Sequence, residues 1–202
     1  MEGRLVFPLP PEEPLSRVQR WAHAIAVLTA LLGFALGFLL KAQIVGATTP
    51  FRDLAAGVLA QYPAGWLLDT QGDYVFRARD PGAPGYRTTL QVALVPIGPD
   101  ATSRSIVDGL TLERAQTLAG YQVNGTEPFT LPDGDEATRL EYAYAETESN
   151  PFLQSLPVVV RGVDIVTIKR GQAIIITFRV EQDRFEDEFW RLEQFLATLE
   201  LL

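Results

Sequence analysis

A run of twenty residues near the N-terminus, 21–40, contains no charged side chain other than the titratable His23. It reads WAHAIAVLTALLGFALGFLL. At about 1.5 Å of rise per residue, a helix of this length spans roughly 30 Å, the thickness of the hydrocarbon core of a bilayer. A helix that is apolar on all sides has no polar face to turn toward water, which argues against a buried soluble helix. The run therefore predicts one transmembrane helix, with Trp21 and Lys41 at its two ends.

A cleaved signal peptide is the alternative interpretation of the same run. Val45-Gly46-Ala47 resembles a small-residue cleavage site. However, the apolar run is longer than the roughly 7–15 residues of a signal-peptide core, and Lys41 lies between the run and the site. An uncleaved signal anchor is favoured.

The basic residues that flank the run predict its orientation. Arg17 and Arg20 precede it directly, whereas Lys41 and the more distant Arg52 follow it. This bias places residues 1–20, a Pro-rich tail, in the cytoplasm. We therefore expect a single-pass protein of the cell membrane whose globular domain is extracytoplasmic.

The charge of the globular part limits its partners. Residues 46–202 hold 13 basic and 22 acidic side chains, a net charge of −9. Such a domain repels phosphate backbones, so we expect no nucleic-acid partner. The chain has no cysteine, which excludes a disulfide framework and a thiolate site.

The segment after the apolar run is a predicted linker, residues 41–50, that leads into a globular domain at 51–202. Thr49 followed by Pro50 is a suitable start for a short helix through about Gln61. The same stretch could instead end in a strand, and the sequence leaves both alternatives open.

Strand-like alternation dominates the rest of the domain. Tyr74, Phe76 and Ala78 share one face of a predicted strand whose other face carries Arg77 and Arg79. Similar alternation predicts strands near 90–94 and 139–144, a further strand is expected near 121–130, and two apolar segments predict strands at about 158–168 and 173–180. Arg170-Gly171 is a plausible tight hairpin turn between the last two.

Two segments of the domain predict helices instead. Residues 102–119 have Thr102 or Ser103 as a cap and Gly120 as a stop. The last helix has an apolar stripe formed by Phe185, Phe189, Leu192, Leu196 and Leu199. The predicted fold class is α+β: a mostly antiparallel sheet covered by helices in an α/β/α sandwich, preceded by the transmembrane helix.

The opening of the globular domain carries a family resemblance. Tyr62-Pro63-Ala64-Gly65-Trp66, the element order that follows and the closing amphipathic helix resemble the PsbP-like superfamily over about residues 55–200. That superfamily includes an extrinsic subunit of photosystem II, LpqN-type lipoproteins and a Ran-binding import factor. The resemblance implies an α/β/α sandwich that works by binding or by supporting a larger complex. Its members are generally not enzymes. The ion-binding and docking residues of the photosystem II subunit cannot be matched here.

No arrangement of residues in the globular domain predicts catalysis. The only histidine is His23, inside the apolar run, where an interfacial position is favoured over a pigment or haem ligand. We expect no enzymatic activity, no cofactor and no metal site. The acidic residues 133–136 are interpreted as a solvated turn, and those at 181–188 as the start of the last helix.

Two groups of residues are candidates for contacts with partners. Ala26, Ala30, Gly33 and Gly37 share one stripe of the apolar helix, which suits a second transmembrane helix. Phe152, Leu153 and Leu156 lie on a long polar connection and form either a docking tip or a segment that folds back over the sheet.

These features predict a non-enzymatic, membrane-anchored accessory subunit or assembly factor of a membrane protein complex. Its expected partners are other transmembrane helices or subunits of that complex, including a second copy of itself. The alternative is a stand-alone membrane-anchored binding protein for a lipid or small ligand.

Overall fold

The computed structural model describes residues 16–147 and 157–202. The chain divides into two compact units, Met1–Gly46 and Ala47–Leu202. The first contains the N-terminal helix, and the second contains every strand and the two remaining helices of the described part of the chain.

Helix α1 spans Arg17–Val45 and is therefore longer than the apolar run at both ends. It begins at a capping box, in which the Ser16 hydroxyl accepts from the backbone N–H of Gln19 and the Gln19 side chain accepts from the N–H of Ser16. Inside the run, the Thr29 hydroxyl donates to the carbonyl of Ile25 at 2.9 Å, which satisfies this polar group within the helix. By length and composition, Arg17–Lys41 is capable of crossing a membrane.

The globular unit is built from strands with two covering helices. The strands are β1 Thr48–Asp53, β2 Val58–Pro63, β3 Leu67–Asp69, β4 Phe76–Arg79, β5 Thr89–Pro96, β6 Ala119–Thr130, β7 Glu136–Glu146, β8 Val158–Lys169, β9 Gln172–Glu181 and β10 Glu200–Leu201. The helices are α2 Ser103–Thr117 and α3 Phe185–Thr198, the latter preceded by a 3-10 turn at Gln182–Arg184.

The strands form two sheets, and every recorded pairing is antiparallel. The larger sheet has seven strands in the order β3-β4-β5-β9-β8-β7-β6, and the smaller has the order β1-β2-β10. The α+β class predicted from the sequence is confirmed. The small second sheet was not predicted.

The centre of the large sheet is the β8–β9 hairpin. Its turn is Arg170-Gly171, with φ of 54° and 73°, the left-handed pair that a tight hairpin needs. Ile175 and Ile176 of β9 point to opposite faces, and both are at most 5% exposed. A strand that is apolar on both faces must be covered on both sides.

One helix covers each face. Phe185, Leu192 and Phe195 of α3 pack with Ile176 on the first face. Val107 of α2 packs on the second face in a smaller cluster with Tyr142, Tyr144, Val166 and Ile175. The result is the predicted helix–sheet–helix layering.

The structure resolves the open alternative at the start of the domain in favour of strands. Pro50 lies in β1, at the edge of the small sheet, where the missing N–H of a proline removes no pairing with a further strand. Residues 41–50, the expected linker, hold the last residues of α1 and the first of β1.

The segment Tyr62–Trp66 forms the turn that its proline and its glycine suggest. The Trp66 N–H donates to the Pro63 carbonyl at 3.3 Å, and Gly65 has φ of 81°, as a type II turn requires at its third position. Trp66 is 7% exposed and belongs to the main core.

The boundaries of α2 differ slightly from the predicted 102–119. Thr102 is the cap, in a reciprocal pair of hydrogen bonds with Ser105, as expected for a capping box. The helix ends at Thr117, and Gly120 lies in β6, where the pairing with β7 shifts register. Gly120 therefore marks a bulge at the start of β6 and does not end α2.

Gly162 of β8 lets the ring of Tyr142 lie directly against the backbone of β8, which a residue with a Cβ atom would prevent. Its pairing partner is Tyr142 of β7, and the Tyr142 ring lies over it. A Cβ added at Gly162 would overlap this ring, with the hydroxyl oxygen only 2.6 Å away. The absent side chain makes room for the aromatic one.

We predict that Gly162→Ala lowers the free energy of unfolding by about 1–3 kcal/mol, because Tyr142 or the strand must shift. Gly109→Ala in α2, where a Cβ meets nothing within 4 Å, is the matched control. It should stabilise the domain by about 0.5–1 kcal/mol, since alanine is the better helix former. Urea denaturation of the full chain in mild detergent measures both; equal effects of the two variants would contradict the packing argument.

Candidate functional site

The small residues of α1 form a groove along one side of the helix. Ala30, Gly33 and Gly37 line it together with Phe34, Phe38 and Lys41, and its volume is about 450 Å³. Ala26, the fourth predicted residue, lies on the same stripe beyond the groove. A Cβ added at Gly33 or Gly37 would meet nothing within 4 Å, so both glycines leave the backbone accessible.

The other predicted contact residues, Phe152, Leu153 and Leu156, lie outside the described residues. The docking-tip hypothesis therefore stays a prediction.

A buried polar network lies between α2 and the second face of the large sheet. The carboxylate of Asp164 in β8 is fully buried and pairs with the Arg114 guanidinium of α2. Its other oxygen accepts from the Thr177 hydroxyl of β9 at 2.8 Å. The Arg114 guanidinium also stacks over the Tyr142 ring, 4.5 Å from its centroid. The network fixes α2 onto the sheet by a charge pair and its hydrogen bonds.

The electrostatics of this network keep its charges in place. Burial alone would lower the pKa of Arg114, but its interactions with Asp164 and Tyr142 together outweigh that effect and the pKa is raised. Burial raises the pKa of the Tyr142 phenol, which therefore stays neutral. Both oxygens of Asp164 are occupied, one by Arg114 and the other by Thr177, which is the arrangement of a structural ion pair.

A pocket of about 280 Å³ opens beside this network, on the part of the same face formed by β4, β5 and β9. Four arginines line it: Arg77, Arg79, Arg87 and Arg179. The remaining lining residues are Tyr86, Thr89, Tyr144 and Glu146. We call it the arginine pocket.

Strand register brings the arginines together. Arg79 of β4 pairs with Thr89 of β5, and Thr89 pairs with Arg179 of β9, so the three residues form one row across the sheet. Arg77 lies two residues along β4 on the same face. The exposed Arg87 reaches the pocket from the segment before β5.

The pairing of basic residues differs between the arginine pocket and the rest of the domain. Nine basic residues of the domain lie outside the pocket, and seven of them have a carboxylate within 4 Å among the described residues. These pairs are Arg104–Asp108, Arg114–Asp164, Arg139–Glu141, Arg161–Glu186, Lys169–Asp135, Arg184–Glu188 and Arg191–Glu188. Within the pocket, the described ion pairs include only one arginine, Arg79, with Asp69 at 3.4 Å.

The rim of the arginine pocket partly neutralises Arg79. The Tyr74 hydroxyl donates to Asp69 at 2.6 Å, and this hydrogen bond lowers the pKa of Asp69. The carboxylate is therefore ionised beside Arg79 at neutral pH. Arg77 donates instead to the neutral Gln91 amide at 2.8 Å and stacks on the Tyr74 ring.

The acidic clusters noted in the sequence are engaged with basic side chains. Lys169 donates to Asp135 at 2.8 Å and lies 3.9 Å from Asp133, in the turn before β7. Glu186 and Glu188 of α3 pair with Arg161 and Arg184. Among residues 16–147 and 157–202, no group of three or more His, Asp or Glu side chains is placed to hold a metal ion.

Comparison with solved structures identifies the architecture. Cyanobacterial PsbP (CyanoP) from Synechocystis is 17% identical, covers 78% of this chain and 94% of its own, and superposes with a TM-score of 0.58. LpqN of Mycobacterium tuberculosis is 16% identical, covers 76% of this chain and 89% of its own, and has a TM-score of 0.50. The yeast Ran-binding protein Mog1p is 6% identical over 77% of this chain and 95% of its own, with a TM-score of 0.49.

The fold is PsbP-like. The resemblance drawn from Tyr62–Trp66 and the element order is thereby confirmed at the level of the fold. No model of a known protein family matches the sequence, and no curated protein matches it either.

The arginine pocket of this PsbP-like domain was not predicted from the sequence. Arg77 and Arg79 were noted only as the polar face of a strand. Arg179 was the available signal, because it is the one charged residue within the largely apolar stretch 173–180 of β9. Arg179 comes close to Arg79 only because β5 pairs with β9, and the spacing of residues along the sequence does not reveal that pairing.

We predict that Asp164→Asn lowers the free energy of unfolding by about 3–5 kcal/mol, because it leaves the Arg114 charge half-buried without its partner. Arg114→Met combined with Asp164→Leu removes both charges, and it should be less destabilising than the single change. Urea denaturation of the full chain in mild detergent compares the two. If the double variant is at least as unstable as Asp164→Asn, the ion pair itself stabilises the fold, beyond each charge neutralising the other.

Proposed function

We propose that this protein is a non-enzymatic, membrane-anchored accessory subunit or assembly factor of a membrane protein complex. The PsbP-like domain is its extracytoplasmic part, and α1 is both its anchor and a contact with a partner helix. The observation that carries the proposal is the groove along α1.

An anchor alone has no need of such a groove. Lipid tails pack on leucine as well as on glycine, so small residues gain nothing at lipid-facing positions. A partner helix does gain, because small side chains let two backbones approach closely and increase van der Waals contact. Gly33 and Gly37 provide this access, and the Phe34 and Phe38 rings beside the groove offer surface for the partner to pack against.

The domain's chemistry supports a binding role over an enzymatic one. Its buried ionisable pair, Arg114 with Asp164, is closed by internal hydrogen bonds and lies under α2. The sole histidine of the chain, His23, belongs to α1 and not to the globular unit. LpqN, which shares the fold, is described as involved in cell envelope biogenesis, a setting compatible with an extracytoplasmic domain.

We predict that Gly33→Ile with Gly37→Ile abolishes the association of the protein with its partner or with a second copy, because the added side chains fill the groove. Membrane insertion should persist, since isoleucine is as apolar as the segment requires. The measurement is native mass spectrometry after extraction in mild detergent, with circular dichroism to verify that the domain remains folded.

The matched control is Ala24→Ile with Ala35→Ile, which adds two side chains of the same type to the opposite side of α1. This control should retain the wild-type association. If both double variants keep the same co-migrating species, the groove is not the contact and the association runs through the globular domain.

Orientation is tested separately. We predict that, fused after Leu202, a reporter that works only outside the cytoplasm is active and a reporter that works only in the cytoplasm is inactive. The reason is that Arg17 and Arg20 retain the N-terminus in the cytoplasm. Changing both arginines to glutamine should weaken this preference. Activity of a cytoplasm-dependent reporter in the wild-type fusion would reverse the proposed topology.

A further inference from the structure

The arginine pocket is an exception to the charge balance of the domain around it. The domain has a net charge of −9, and carboxylates hold most of its basic side chains. Yet the described residues provide no ion pair for Arg77, Arg87 or Arg179, although Glu146 lines the same pocket. In a domain with an excess of acid, four guanidinium groups that converge on a pocket lined by a single carboxylate, Glu146, indicate a site kept open for an anion from outside.

The geometry of Arg179 strengthens this argument. Its Nε atom is buried and has no hydrogen-bond partner. Several paired arginines also have an unpartnered Nε, but those side chains bind carboxylates through their terminal nitrogens. Arg179 interacts with the neutral Tyr144 hydroxyl and has no carboxylate partner among the described residues, so its buried Nε still lacks an acceptor.

The room for a ligand beside Arg179 is on the side of Thr89, whose side chain is short and lines the pocket. On the other side, the Tyr142 ring lies over Gly162. Tyr86 and Tyr144 form an aromatic wall in which the Tyr144 hydroxyl donates to that of Tyr86 at 3.4 Å. Across the row, Arg79 and Arg179 are separated by two strand spacings, roughly 10 Å between backbones, so that both side chains can reach one small group.

We propose that the arginine pocket binds a phosphate-class dianion, either free in solution or as the headgroup of a lipid. Guanidinium groups present paired donors that match the oxygens of a phosphate, and several of them together favour a dianion over a single carboxylate. A volume of about 280 Å³ lies at the small end of ligand sites, which suits a phosphate with at most a small substituent. This site is independent of the groove on α1 and adds a ligand to the proposed function.

The test uses the full chain in a neutral detergent, with inorganic phosphate as the probe and ionic strength held constant by sodium chloride. We expect saturable binding by isothermal titration calorimetry for the wild type. Arg77→Gln with Arg87→Gln should weaken it at least about tenfold, the loss expected for one charge-assisted hydrogen bond or more. Arg52→Gln with Arg104→Gln removes the same charge from exposed positions outside the pocket, and should change the affinity by less than about twofold.

Folding and ligand source are checked in the same series. The melting temperature in phosphate-free buffer shows whether each variant is folded; if the pocket double variant is not, Arg87→Gln alone, at an exposed position, should weaken binding at least threefold. Dihexanoyl phosphatidic acid, compared with dihexanoyl phosphatidylcholine, distinguishes the sources. Tighter binding of the phosphatidic acid than of inorganic phosphate assigns a lipid headgroup, and the reverse order assigns a free anion. Absence of binding by both probes, or an equal loss in the Arg52/Arg104 control, overturns the proposal.

Discussion

The β8–β9 hairpin is the constraint on which the rest of the globular unit depends. Its strands place apolar side chains on both faces of the sheet, with Val163 and Ile176 on one side and Val166 and Ile175 on the other, all buried. Burying each such side chain contributes about 1.5–3 kcal/mol, so neither face can be left to water. An antiparallel sheet with one solvated face would have been possible only if the alternation had included polar residues. The sequence of the hairpin therefore dictates a helix on each side.

The two faces of the large sheet are covered to different extents. This difference explains where the arginine pocket and the Arg114–Asp164 pair lie. On the first face, α3 and the small sheet cover the centre together, since Leu201 of β10 and Val58 of β2 join the same core. On the second face, α2 packs on β6, β7 and β8. The β4–β5 end lies beyond α2, and there the strands carry Arg77 and Arg79. The arginine pocket lies where the covering layer stops, and the Arg114–Asp164 pair lies beneath the layer itself.

The sequence predicted those features that depend on local periodicity. Alternation located β7, and two apolar segments on either side of Arg170-Gly171 located β8, β9 and the turn between them. The stripe of Phe185, Leu192 and Leu196 located α3. Features that depend on long-range pairing were missed. Strand β10 has two residues, too few to carry any pattern, and it exists only because β2 offers an edge. The arginine pocket was missed for the same reason, because residues 79 and 179 become neighbours through the strand order alone.

The net charge of the domain and its arginine pocket lead to compatible conclusions about partners. At physiological ionic strength the Debye length is about 8 Å, so most of the domain's carboxylates are screened from a ligand in the pocket. The guanidinium groups that line the pocket would lie within that distance of an anion bound there, and Arg77, Arg79 and Arg179 are screened less because they are half-buried. A polyanion such as nucleic acid needs a broad basic surface, and an acidic domain repels it over most of its contact area. A single small anion meets only the local cluster. The proposed phosphate site is therefore compatible with an acidic domain. A nucleic acid would contact a broad surface on which carboxylates predominate, whereas a small anion would contact only the arginines of the pocket.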